Sequence, residues 1–192
     1  CVGGPAIAPI PDNPRPHVGR VLVPRERIAR RVNDLAEAIE ADFDGRPITI
    51  AAVMTGALIF VADLVRRLPS AMRIHLVQIR SYPGRAVASQ GPTLLAGPPE
   101  DLTGQDVLLI DDILDSGRTL KRAVEEFRRA GAHAVRTCVL VAKPAEVRAA
   151  DGLARADYVG FEIPPVFVVG YGMDFDDCYR NLPDIAVLEG GS

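Results

Sequence analysis

The residues best able to do chemistry stand together in one run, Val107-Leu108-Leu109-Ile110-Asp111-Asp112-Ile113-Leu114-Asp115-Ser116-Gly117-Arg118-Thr119-Leu120. An apolar stretch leads into two adjacent acids, then into a turn, then into a helical pattern. In open α/β sheets ligands bind beyond the carboxyl ends of the strands, where Asp111 and Asp112 are expected to stand. The turn 115–119 offers backbone N–H groups at a helix N-terminus, the hydroxyls of Ser116 and Thr119, and Gly117, which permits close approach. That set suits a phosphate. Carboxylates repel a phosphate but accept hydrogen bonds from vicinal hydroxyls. A ligand that carries both groups is a ribose 5-phosphate. The plainer reading makes Asp115 and Ser116 helix caps and the two acids a strand end. A nucleotide-hydrolase acid after an apolar strand is the nearest rival, and the lack of any Gly-x-x-x-x-Gly-Lys-Ser/Thr run removes it.

The surrounding pattern supplies elements to hold this turn. Apolar residues at Ile28, Val32, Leu35, Ile39 and Phe43 recur near the 3.6-residue period and predict an amphipathic helix over 24–43, with Pro24 in its first turn. A β-branched run predicts a buried strand over 48–53, followed by a Thr55-Gly56 turn. A helix over 57–68 follows, with Leu58, Val61, Leu64, Val65 and Leu68 on its inner face. Further strands are expected over 73–79, 107–110, 134–142, 158–163, 166–169 and 185–188. A helix over 119–130 presents Leu120, Val124 and Phe127 and stops at Gly131. The segment 81–99 is rich in Gly, Pro, Ser and Thr and reads as a long loop or hairpin, with only 93–96 strand-like. Strands alternating with helices, several of them apolar throughout, predict an α/β fold: a parallel sheet with helices on both faces and a small accessory lobe.

Composition agrees with this class. The chain has 192 residues, 48% hydrophobic and 24% charged, which excludes disorder as the main reading. Residues 1–19 hold five prolines and three glycines and are expected to form a flexible arm, so the folded domain is placed at 20–192. With 22 basic and 25 acidic residues, the net charge of −3 disfavours coating of a nucleic-acid backbone. The longest uncharged run, 47–62, is shorter than the ~18 residues of a spanning helix, and no signal peptide or membrane association is expected. Cys1, Cys138 and Cys178 form no zinc-binding spacing and read as reduced thiols, which places the protein in the cytoplasm.

The acidic run closely resembles the phosphoribosyl-diphosphate (PRPP) signature of type I phosphoribosyltransferases. Ala52-Val53-Met54-Thr55-Gly56-Ala57-Leu58-Ile59-Phe60, with Asp63-Leu64, resembles the pyrophosphate-loop strand and helix of the hypoxanthine-guanine members. Ser81-Tyr82 resembles the start of their mobile catalytic loop. Asp157-Tyr158-Val159-Gly160-Phe161-Glu162-Ile163-Pro164, Phe167-Val168-Val169-Gly170-Tyr171-Gly172-Met173-Asp174 and Tyr179-Arg180-Asn181-Leu182-Pro183 resemble the C-terminal signature of the 6-oxopurine branch. The resemblance covers about residues 21–188, in family order.

By this resemblance, Asp111 and Asp112 hold the ribose hydroxyls directly or through Mg²⁺, and Asp115 is the general base near purine N7. The loop Asp115, Ser116, Gly117, Arg118 and Thr119 cradles the 5-phosphate. Lys143, otherwise a snorkelling surface lysine, donates to the purine O6; an ammonium has donors and no acceptor, so it favours a 6-oxo over a 6-amino group. Phe167, otherwise a core aromatic, stacks on the purine while the Val168 backbone reads the base edge. Asp174 binds a second Mg²⁺, and Arg180 contacts pyrophosphate; their plainer readings are a turn acid and a surface ion pair. Thr55 and Gly56 form the pyrophosphate loop, and the loop after Ser81 and Tyr82 closes as a lid. The implied partners are PRPP and a 6-oxopurine, and the implied assembly is a homo-oligomer, dimer or tetramer.

The chain departs from the family pattern at three places. Thr55 stands where lysine is common, so the backbone, Mg²⁺ and Arg180 are expected to carry pyrophosphate binding. Asp111 stands where glutamate is common, and the segment 83–92 is richer in Pro and Ala than usual. His17, His75 and His133 match no catalytic position. The resemblance implies a purine-salvage transferase. Its rivals are a xanthine-preferring or other phosphoribosyltransferase, and a PRPP-sensing regulator on the same fold.

Overall fold

The structure, a computed structural model, describes residues 17–80 and 93–190. Its body is a six-stranded sheet in the order β4-β3-β2-β5-β6-β7. These strands are β2 (Ile48–Met54), β3 (Met72–Arg80), β4 (Thr93–Ala96), β5 (Asp106–Leu114), β6 (Ala134–Ala142) and β7 (Tyr158–Glu162). All neighbours pair in parallel except β4, which returns antiparallel along β3 at the edge. A smaller antiparallel sheet, β1-β9-β8, joins β1 (His17–Val23) to β8 (Val168–Val169) and β9 (Ile185–Glu189). This is the accessory lobe.

Two apolar layers sandwich the main sheet. Helices α1 (Arg25–Phe43) and α2 (Leu58–Val65) cover one face, where Ile28, Val32, Ile39, Phe60 and Leu64 pack on Ile50, Leu108 and Ile110. Helix α3 (Arg118–Arg129) covers the other, with Leu120, Val124 and Phe127 on Ala51, Val107 and Leu109. Adjacent residues of β5 thus enter opposite cores, as the period of two in a strand requires. Both faces being covered explains why 107–110 of β5 is apolar throughout and 48–54 of β2 is apolar but for the buried Thr49.

Several expectations are corrected. Residues 17–19 belong to β1, pairing from His17 opposite Glu189, so order begins inside the stretch expected to be an arm; residues 1–16 lie outside the described part. Pro24 precedes α1 as its N-cap in an extended conformation. On α2 the inward stripe is Phe60, Val61 and Leu64, continued from Ala57, and Leu58 points outward, because the small Ala57 takes the place against the sheet. Asp111 and Asp112 do not end a strand. They continue it, since β5 stays paired with β6 as far as Leu114 opposite Ala142.

The ladders also show where a ligand can enter. Chain order runs from β2 outward to β3 on one side and from β5 to β6 on the other, so the reversal point lies between β2 and β5. Their mutual pairing stops at Ala52 opposite Ile110. Beyond that, β2 remains bonded only to β3, through Met54 opposite Gln78. The sheet therefore splits at its carboxyl edge, the place where open α/β sheets bind ligands. The α3 core should be essential to holding β5 in this position. Phe127→Ala, which empties a fully buried site, is expected to cost about 3–5 kcal/mol in urea denaturation. A loss below about 1 kcal/mol would mean the α3 layer is not close-packed.

Candidate active site

A cavity of about 650 Å³ fills the split between β2 and β5. It gathers Thr55 and Gly56 from the turn after β2, Asp111 and Asp112 from β5, and Asp174 and Arg180 from the loop after β8. Residues far apart in the chain, each expected to handle PRPP, thus meet in one place.

The approach of the β2 turn to β5 is close enough to require glycine. A Cβ at residue 56 would stand 1.9 Å from Asp112 Oδ2. The loop after β8 then packs on the same turn, where a Cβ at Gly172 would meet the Gly56 carbonyl oxygen at 2.2 Å. The Met54–Thr55 peptide is cis. Among the described residues, the N–H groups of Thr55 and Gly56 donate to no protein acceptor, while Ala57 and Leu58 N–H close the turn onto Val53 and Thr55 carbonyls at 3.3 and 3.1 Å.

The paired acids are under electrostatic strain. Asp111 is buried, and its Oδ1 accepts the backbone N–H of Asp112 at 2.9 Å. Burial, and next the charge of Asp112, push its carboxyl well above the ordinary carboxylate range. Burial raises Asp112 as well, against the opposing pull of the hydrogen bond from Asp111 and the more distant charge of Arg180. Arg180 is held by Asp174 at 2.9 Å, by Asp177 at 3.3 Å, and by the Gly172 carbonyl at 2.8 Å. The ion pair read as the plainer role of Arg180 is therefore present, and it sits inside the cavity wall rather than on open surface.

Beyond β5, Ser116 Oγ accepts the Arg118 N–H, the first of α3, at 3.4 Å, so the cap reading holds for Ser116 and not for Asp115. Gly117 is the N-cap of α3 at φ 77° and itself offers no side chain to cap it. Asp115 instead pairs with Lys143, Oδ2 to Nζ at 2.9 Å. Lys143 is only 14% exposed in its side chain, which removes the snorkelling reading. Its N–H bonds the Leu114 carbonyl at 2.9 Å, so the lysine is rooted beside the acid. The turn is propped from behind by 149–153: Ala149 N–H bonds the Ser116 carbonyl at 3.1 Å and Leu153 N–H the Gly117 carbonyl at 3.0 Å. Both glycines of this contact are needed, since a Cβ at Gly117 or Gly152 would fall within 2.6 Å of Leu153 O or 2.1 Å of Ser116 O. Arg118 Nε bonds Asp151 at 2.8 Å.

In the accessory lobe, Val168 is buried and paired with Val187, whereas Phe167 is 42% exposed and stands edge-on to Phe175, 5.6 Å between ring centres. Phe167 is thus not a core aromatic. The lobe is tied to α2 by the Tyr171 hydroxyl bonding Asp63. Phe167 and Val168 do not line the cavity in the split. Ser81 and Tyr82 lie outside the described residues. Sequence reasoning missed the contributions of Gln78, Gly152 and Gly172. Gly172 was readable as one glycine of the Gly-Tyr-Gly run; Gln78 carried no signal.

The acids are hard oxygen donors suited to Mg²⁺. Among the described residues no three acidic, histidine or cysteine groups converge as a closed metal cage.

Burying Asp111 has a stability consequence with a definite sign. Its folded form binds a proton more tightly than the unfolded chain does, so stability falls as pH rises from the ordinary carboxylate range through the raised folded value. Asp111→Asn keeps the acceptor for Asp112 N–H and removes the buried charge. It is expected to raise the thermal midpoint at pH 7 by about 2–4 °C, or 1 kcal/mol, and to flatten the pH dependence. A lower midpoint at pH 7 would show that the carboxylate is stabilised by its surroundings.

The family model for the phosphoribosyl transferase domain matches residues 22–176. The chain is 38% identical to the hypoxanthine-guanine phosphoribosyltransferase of Bacillus subtilis over 173 residues, 90% of this chain and 94% of that protein. It is also 38% identical to that of Aquifex aeolicus, over 88% of this chain and 94% of that one. A crystal structure of the Bacillus anthracis hypoxanthine-guanine phosphoribosyltransferase, with a HEPES molecule in its active site, superimposes with a TM-score of 0.82 at 37% identity, covering 90% of this chain and 99% of that one. A split sheet bearing paired acids, likeness along nearly the whole length and the same architecture agree, and the chain belongs to the phosphoribosyltransferase family, in its hypoxanthine-guanine branch.

Proposed function

We propose that this chain transfers the 5-phosphoribosyl group of PRPP to hypoxanthine and guanine, forming the nucleoside monophosphate and releasing pyrophosphate. The observation that carries the reading is the meeting of Thr55-Gly56, Asp111-Asp112 and Arg180 around one cleft, with Asp115 just beyond the end of β5 paired to Lys143 just beyond the end of the neighbouring β6.

Each part then has a task. Asp111 and Asp112 accept hydrogen bonds from the ribose hydroxyls. The turn 115–119 receives the 5-phosphate; Ser116 and Gly117 N–H groups have no protein acceptor among the described residues. The free N–H groups of Thr55 and Gly56 and the guanidinium of Arg180 face the pyrophosphate, so the neutral Thr55 leaves no gap that a side-chain charge must fill. Asp111 and Asp112 would hold one Mg²⁺ and Asp174 a second, each together with substrate oxygens, and these ions would supply positive charge to the leaving pyrophosphate. Asp115 uses one oxygen on Lys143 and has the other for a purine ring N–H. Lys143 uses one of its three N–H donors on Asp115 and has two for a 6-oxo acceptor. Phe167 offers an exposed ring for stacking, beside the Val168 backbone. Fixing base and ribose side by side turns an encounter into an intramolecular displacement at the anomeric carbon.

We also place the protein in the cytoplasm as a homo-oligomer. Among the described residues no helix is long and apolar enough to cross a membrane. Ile74 and Leu76, 49% and 61% exposed, lie on the β3 flank that α1 and α2 leave uncovered, and a second copy would bury them.

A spectrophotometric panel of bases with PRPP tests the reading. Hypoxanthine and guanine are expected to react, adenine hardly at all, and EDTA to abolish turnover. Equal rates with adenine would overturn the Lys143 assignment, a preference for xanthine would reassign the substrate, and no turnover beside nucleic-acid binding would favour a regulator. In the same assay Asp115→Asn should lower kcat by about 10²–10⁴ with PRPP affinity retained. An unchanged kcat would remove Asp115 from the chemistry.

A further inference from the structure

The segment 144–154, between β6 and β7, has no part in the site described so far except as the prop behind the phosphate turn. Its centre holds Arg148, whose guanidinium faces no carboxylate among the described residues and spends its donors on backbone carbonyls. Nε and Nη2 both bond the Lys143 carbonyl, at 3.2 and 2.7 Å, and Nη1 bonds the Ala154 carbonyl.

These two carbonyls are the two ends of the segment. One belongs to the lysine that would recognise the purine. The other follows Leu153, whose N–H holds the Gly117 carbonyl of the phosphate turn. Lys143 is thereby fixed on both sides of its Cα, by its N–H on Leu114 and by its carbonyl on Arg148. A guanidinium is a rigid planar fork, so bonding both carbonyls sets the distance between them. The segment cannot shift behind the phosphate turn without pulling on the lysine.

We propose that Arg148 is a positioning residue that locks the purine-recognition lysine to the 5-phosphate turn, so that base and phosphoribosyl group are presented in one fixed geometry. The inference rests on the purine-transfer reading above and deepens it. Asp151 gives a contrast within the same segment. It touches only the phosphate side, through Arg118 Nε at 2.8 Å and, by its carbonyl, Lys121 Nζ at 3.0 Å.

The test is steady-state kinetics of the full chain with PRPP and hypoxanthine for wild type, Arg148→Ala, Arg148→Lys and Asp151→Ala. A misplacement of about 1 Å can cost as much as about a hundredfold. Arg148→Ala is expected to raise KM for both substrates by about tenfold or more, and to lower the hypoxanthine-to-adenine ratio of kcat/KM. Arg148→Lys, with one point donor in place of a fork, should fall between, and it carries the test if the alanine variant does not fold. Asp151→Ala should alter KM for PRPP while KM for hypoxanthine stays within about twofold. A fall in kcat with both KM values unchanged would overturn the proposal, because loss of folded enzyme alone does that. A rise in one KM only for the Arg148 variants would overturn the coupling. Wild-type protein that turns over no 6-oxopurine would instead overturn the reading beneath it.

Discussion

The site depends on one close approach, the backbone of Gly56 against the carboxylate of Asp112. Parallel pairing holds β2 and β5 together only to Ala52 and Ile110. Past that point the two strands must diverge, because each stays bonded to a different neighbour. Divergence opens the cavity, and the absence of a side chain at residue 56 lets the turn lean back onto Asp112. An anion-facing backbone and a hydroxyl-accepting acid then border the same space. The loop carrying Asp174 and Arg180 is seated on the far side of that turn, through Gly172 on the Gly56 carbonyl.

This arrangement sets charge against burial. Asp111 and Asp112 are adjacent acids partly withdrawn from water, a costly placement that gives nothing to folding. Cations compensate unevenly. Arg180 is shared with Asp174 and Asp177, and Lys143 is spent on Asp115. Under the proposed reading, acceptors of Asp111 and Asp112 would face the ribose, donors of the Thr55-Gly56 turn and Arg180 the pyrophosphate, and the Asp115–Lys143 pair, an acceptor and a donor, the base. A sugar phosphate with a vicinal diol matches that division; a nucleic-acid backbone, all phosphate on its outside, does not.

Much of this was legible in the order of residues, for physical reasons that differ by element. Helix α1 follows its apolar period to the last turn, and β6 matches its β-branched run over 134–142. Both are decided locally. Strand β1 was hidden because glycine and exposed positions interrupt its valines and leucine, and it exists only by pairing with β9, far away in the chain. The continuation of β5 through Asp111 and Asp112 was hidden likewise, since it is imposed by β6. At the site, motif residues were readable as types, and the fold brings Thr55, Gly56, Asp111, Asp112, Asp174 and Arg180 into one cavity. Their pairings were not readable. Asp115 looks like a cap and proves to be the partner of Lys143. Arg148 could not be found from sequence, because its partners are carbonyls, which every residue carries.

In the proposed reading, the close approach of Gly56 is what sets Asp112 for the ribose. Adding one methyl tests it. A Cβ at residue 56 meets the end of a side chain, so Asp112 can swing aside and the fold can survive. Isothermal titration of PRPP with Mg²⁺ into wild type and Gly56→Ala, beside their thermal midpoints, gives the answer. The account predicts affinity weakened by at least about tenfold, 1.4 kcal/mol, with the midpoint nearly unchanged. Wild-type affinity in a folded Gly56→Ala protein would contradict it.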